Sequence, residues 1–165
     1  NDAAHRAIAA QLKAHSLNRS YRAIVHGTVQ EEEGTVCAPL GRDEKNRKRM
    51  AINEKNGKDA VTHYRVLQRF RDHTYIECRL ETGRTHQIRS HLASIGHPII
   101  GDMKYGSRQI NEVYRKKYQV SSQLLHAWRI EMPSVPGELH YLSGLKLTAE
   151  LPALFKKVIK GEKLK

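Results

Sequence analysis

Apolar and polar positions along the chain change period several times, and each change predicts an element. Ala3, Ile8, Ala9 and Leu12 recur at helical spacing, with Asn1 or Asp2 placed to cap the start. From Tyr21 to His26, small or apolar residues alternate with polar ones, which predicts a short strand ending at Gly27. An acidic turn over Glu31–Gly34 precedes a second short strand expected at Thr35–Pro39. Asn56-Gly57 is a turn signal. Beyond it, Ala60–Phe70 is rich in β-branched and aromatic residues. In Thr74–Glu81, Ile76, Cys78 and Leu80 alternate with Tyr75, Glu77, Arg79 and Glu81. These two runs flank a short connection, so they read as an antiparallel hairpin.

A helix is expected after Gly83, capped by Thr85, with Ile88, Leu92 and Ile95 on one apolar face. Gly96 suits a left-handed cap, and Pro98 bars continuation. Residues 99–122 read as irregular. Leu124–Met132 reads as a buried strand, Leu139–Leu147 as a further one, and Pro152–Ile159 as a short helix. Strands and helices do not alternate regularly. The expected fold is therefore α+β, with a mixed, mainly antiparallel sheet flanked by short helices.

Composition narrows the function. The chain has 165 residues, which fits one domain with its own core. No apolar run approaches the roughly 18 residues needed to span a bilayer. The two cysteines form no Cys-x-x-Cys pair and read as buried free thiols, which points to a reducing, cytoplasmic setting. Net charge is +12 and the pI is about 9.9. That balance suits a polyanionic partner, because Lys and Arg gain affinity for phosphates by releasing condensed counterions. Residues 42–49, with Arg42, Lys45, Arg47, Lys48 and Arg49, read as a solvated hairpin tip or as an arm that tracks phosphates.

The segment Gly83–Arg89 is where chemistry is expected. A helix N-terminus already carries a partial positive charge, yet Arg84 and Arg89 flank this one and His86 adds a donor. The natural complement is an anion, either a phosphate or a carboxylate from elsewhere in the fold. A structural carboxylate satisfying the arginine is the plainer alternative. His86 and His91 lie about 140° apart around a helix, so they do not form a metal pair, and no metal site is expected. Tyr21, next to basic residues at a strand start, is either a core residue or a platform for an unstacked base.

The string LETGRTHQIRSHLASIGHPIIGDMKYG, residues 80–106, resembles the signature segment of the RluA-type RNA pseudouridine synthases. RSYRAIVHG (19–27), GKDAVTHYRVL (57–67) and LLHA (124–127) resemble further family segments. The resemblance implies an enzyme that isomerises uridine to pseudouridine in structured RNA, without cofactor or metal, after flipping the base out of its stack. Ribosomal RNA is the first candidate substrate and transfer RNA the second, with a monomer acting alone. Arg89 then resembles the arginine that pairs with the family's catalytic aspartate. Tyr21 resembles the tyrosine that packs on the target base. Arg84 and His86 resemble further parts of the signature, suited to RNA contact or to loop structure. The family's His-Arg-Leu-Asp stretch does not occur here, and Asp102 reads as structural. The chain is therefore expected to be the C-terminal portion of one catalytic domain, inactive alone, with Arg89 awaiting a carboxylate from preceding polypeptide. A non-catalytic RNA-binding domain is the alternative.

Overall fold

The computed structural model describes residues 2–14 and 16–161. Asn1, one of the two expected caps, lies outside them. A first helix, α1 (Asp2–Lys13), forms as the periodicity predicts, but none of its residues is buried and Ile8 and Leu12 remain exposed.

The body is a six-stranded sheet. Its strands are β1 (Asn18–His26), β2 (Glu33–Cys37), β5 (Val61–Arg69), β6 (His73–Leu80), β7 (Leu125–Glu131) and β8 (Lys146–Thr148). The order across it is β2-β5-β6-β1-β7-β8, and every one of these pairings is antiparallel. A separate two-stranded hairpin joins β3 (Leu40–Arg42) to β4 (Met50–Ile52). The basic run 42–49 is thus a hairpin tip. The remaining helices are α2 (Gln87–Ser94), α3 (Arg108–Tyr118) and α4 (Ala153–Gly161).

The alternation in β6 holds. Ile76, Cys78 and Leu80 are buried, while Tyr75, Glu77 and Arg79 are partly or fully exposed. Directly opposed residues share a face, so the register sets Tyr21 beside Cys78 and Ala23 beside Ile76. Ala23, Ile24 and Val25 are completely buried, because β1 lies between β6 and β7 and is covered on both faces. Ile88 and Leu92 of α2 join the same core as Tyr114 and Tyr118 of α3 and Phe155 and Val158 of α4.

Several expectations need correction. The stretch 99–122 contains an eleven-residue helix, α3, capped by the Ser107 side chain accepting from the Ile110 N–H. Its apolar stripe is Ile110, Tyr114 and Tyr118 at i, i+4 and i+8, a pattern disguised by tyrosines among arginines and lysines. Residues 139–147 are not one strand. A 3₁₀ turn covers Gly137–Leu142, and only Lys146–Thr148 pairs. The second strand runs from Glu33 to Cys37, because Glu33 finds Arg65 opposite it. β7 is half-buried rather than buried. Cys37, on edge strand β2, is exposed. Cys78 alone is buried, and that burial pushes its thiol up to about 12.

Candidate active site

The turn before α2 is shaped by close packing. A Cβ at Gly83 would lie 2.7 Å from Nη2 of Arg19. The helix does not use Thr85 as its cap. It starts one turn position later, with His86 in a left-handed conformation (φ 54°) and no side-chain cap. Such a conformation costs a non-glycine residue of order 1 kcal/mol or more and persists only where surroundings over-determine it. Gln87 supplies much of that determination. Its Oε1 accepts from Thr82 Oγ1 and from the Arg84 N–H, and its Nε2 donates to Val61 O and Thr62 Oγ1. Both ends of the amide are satisfied, which ties the turn to β5. Arg84 adds a bond from Nε to Asp59 O at 2.8 Å.

At the other end of α2, Ile95 is the C-cap and 38% exposed, so the apolar face consists of Ile88 and Leu92. His91 is fully buried. Its Nε2 donates to Ala38 O (2.9 Å), so its Nδ1 accepts from Thr62 Oγ1 (3.0 Å). Burial lowers its pKa, only partly offset by the bond to Ala38. A histidine whose folded pKa is depressed gives stability that is full above its unfolded value and is lost as pH falls through the folded one. Unfolding free energy from urea titration is therefore expected to decline below about pH 6.5. His91→Gln should reduce that slope, at some cost in stability at neutral pH.

Arg89 decides the electrostatics. Its Nε lies 2.7 Å from Asp102 Oδ2 and its Nη2 2.8 Å from Oδ1, a bidentate fork. The Asp102 side chain is completely buried and that of Arg89 is 14% exposed. Oδ1 also accepts the backbone N–H of Lys104 (2.9 Å) and of Tyr105 (3.0 Å). Burial alone would raise the Asp102 carboxyl, but the Arg89 guanidinium and these two N–H groups outweigh it and hold the pKa below the usual range. The same bond raises Arg89. The expectation that Arg89 awaits a carboxylate from preceding polypeptide is thereby corrected. Its fork is taken by Asp102, thirteen residues on, and only Nη1 has no partner among the described residues.

Tyr21, Arg84, His86 and Arg89 line one cavity of about 160 Å³, together with Leu80, Gln87, Ile88 and Leu125. Four residues chosen from sequence thus converge. Tyr21 reaches it from β1, where it pairs with Cys78 on one side and Ala127 on the other. The hairpin residues Arg42, Lys45, Arg47, Lys48 and Arg49 do not line it. Their hairpin is fastened beside it, through Lys104 Nζ to Lys48 O (3.2 Å) and the Met50 N–H to Tyr105 Oη (2.8 Å). Asp102 is structural, as its sequence context suggested, and Tyr105 is the residue that sequence reading missed. Among the described residues no cluster of His, Cys, Asp and Glu could hold a metal ion.

A sequence profile described as RNA pseudouridylate synthase matches residues 1–94. The chain belongs to that family. It is 48% identical over 127 residues to an uncharacterized RNA pseudouridine synthase, YlyB, of Bacillus subtilis, covering 77% of this chain and 39% of that protein. It is 44% identical over 155 residues to the ribosomal large subunit pseudouridine synthase D of Zymomonas mobilis, covering 92% of this chain and 47% of that one. The chain thus spans less than half the length of these synthases. Among solved structures, human RNA Pseudouridylate Synthase Domain Containing 1 superposes with a TM-score of 0.76 at 22% identity, over the whole of this chain and 73% of the other. That likeness shows a shared pseudouridine synthase fold.

Proposed function

We propose that the complete protein isomerises uridine to pseudouridine in structured RNA, with ribosomal RNA the first substrate to test and transfer RNA the second. The reading is supported most by one observation: in a chain of this family, Tyr21 and Arg89 border the same cavity. A flipped uracil needs an aromatic face to replace its lost stacking, worth roughly 1–3 kcal/mol per base, and Tyr21 offers one. The excess of positive charge, exposed on the 42–49 tip among other places, suits the phosphates around the target. Arg84, His86 and the hairpin cations Arg42, Lys45, Arg47, Lys48 and Arg49 are assigned to RNA contact. Relatives bearing the name ribosomal large subunit pseudouridine synthase favour ribosomal RNA. The protein acts as a cytoplasmic monomer in this reading.

Residues 1–165 form the C-terminal portion of the catalytic domain in this proposal, and the catalytic carboxylate comes from other polypeptide. The chain's own aspartates support that division. Asp102 is saturated by four N–H donors. Asp43 caps its own loop by accepting from the Lys45 and Asn46 N–H groups. Neither of these, nor Asp2, Asp59 or Asp72, lines the cavity. Tritium release from 5-tritiated uridine in ribosomal and transfer RNA transcripts tests the proposal. The complete polypeptide should release tritium, and residues 1–165 alone should not. Turnover by the 165-residue chain would overturn the assignment of the carboxylate. Absence of turnover by the complete polypeptide on either RNA, with binding intact, would favour the non-catalytic RNA-binding alternative.

A further inference from the structure

Tyr105 joins three parts of the molecule. It is 8% exposed. Its ring has the Arg89 Cζ 5.1 Å and the Arg49 Cζ 5.0 Å from its centroid. Its hydroxyl lies 2.8 Å from the Met50 backbone nitrogen and 3.0 Å from His86 Nδ1. A phenol carries one proton and two lone pairs. The Met50 N–H can only donate, so it occupies one lone pair. The phenol proton then has His86 Nδ1 as its acceptor. Were Nδ1 protonated instead, the hydroxyl would accept twice and its own proton would go unmatched in a nearly buried site, which is costly. With Nδ1 accepting, the imidazole proton sits on Nε2. That atom has no partner among the described residues, and His86 borders the cavity.

The surroundings of His86 agree with a neutral ring. Burial disfavours the imidazolium, as do Arg89, Lys104 and Arg42, while Asp102 opposes them without prevailing. The Tyr105 backbone N–H meanwhile helps saturate Asp102, so the same residue braces the Arg89 fork.

We propose that Tyr105 is a positioning residue whose hydroxyl holds His86 as an Nε2–H donor at the cavity and locks the basic hairpin beside it. The inference rests on the RNA-modifying reading in one respect: the acceptor offered to His86 is an oxygen of the flipped uridine nucleotide. Its geometric content can be measured without RNA. Nitrogen-15 NMR of the histidine rings in the 165-residue chain at neutral pH reads the tautomer of His86 directly. The wild-type chain should show protonated Nε2 and unprotonated Nδ1. Tyr105→Phe keeps the ring between the two arginines and removes only the hydroxyl. It should move the Nδ1 signal toward the average of the two tautomers, with the Arg89 Nε–H resonance unchanged. An unchanged His86 in that variant would overturn the proposal. A wild-type His86 that is protonated on Nδ1 would overturn it too, and that result stands even should the variant fail to fold. Because no RNA is present, this outcome is independent of whether the complete protein isomerises uridine.

Discussion

Asp102→Ala is expected to destabilise the chain by about 3 kcal/mol, near the lower end of what breaking a buried ion pair costs. The loss has two sources. The Arg89 guanidinium keeps its charge in a site where only 14% of the side chain reaches solvent. The Lys104 and Tyr105 N–H groups lose their shared acceptor. The value falls toward the lower end because Arg89 is not fully enclosed and can recover some hydration. Asp102→Asn should restore part of the loss, since an amide oxygen still accepts the two backbone N–H groups. Urea unfolding is the measurement, and the midpoint should fall while the slope stays constant. A midpoint within error of wild type would mean that the pair holds nothing together.

The pair also has a linked effect in acid. The Asp102 pKa is lowered in the folded chain, so its contribution is complete above the unfolded value of about 3.9 and disappears as pH falls through the folded one. This lies well below the window in which His91 acts, so the two groups separate in a pH series.

The second large effect is on catalysis. Arg89→Met with Asp102→Leu replaces a buried pair with apolar side chains of similar size. This exchange leaves no unpaired buried charge, so the double variant should be more stable than Asp102→Ala, although the Lys104 and Tyr105 N–H groups still lack their acceptor. Turnover should not survive. The double variant lacks the Arg89 guanidinium at the cavity that Tyr21 borders. Removing a pre-aligned charged donor from an active site typically lowers kcat by about 10²–10³-fold. A stabilising role alone predicts recovery of both properties together. A role in the reaction predicts that stability returns and activity does not.

Much of the fold was legible because local periodicity and burial agree. The β5–β6 hairpin could be read from the alternation of Ile76, Cys78 and Leu80 with polar neighbours, and the sheet buries those three residues. α2 was legible from Ile88 and Leu92 before Gly96. Its start was not, because a left-handed His86 has no signature in residue type and depends on Gln87 reaching back to β5. α3 escaped because tyrosines form its buried stripe, and tyrosine is equally at home in a strand. At the site, the positive cluster around Arg89 correctly indicated an anion. Which anion could not be read from spacing. Asp102 lies in a loop after two buried isoleucines, and only the packing of Ile99 and Ile100 into the core brings its carboxylate to the helix. Tyr105 was hidden for the same reason, since its partners Met50 and His86 are distant in sequence.

The most direct test of the proposed activity is single-turnover tritium release by the complete protein carrying Arg89→Met and Asp102→Leu, on an RNA that the unmodified protein accepts. A folded protein that melts above Asp102→Ala, with release slowed at least about 100-fold, is the predicted result. Release at the unmodified rate would contradict it, because Arg89 would then be scaffolding and the cavity beside Tyr21 would not be where the uridine reacts.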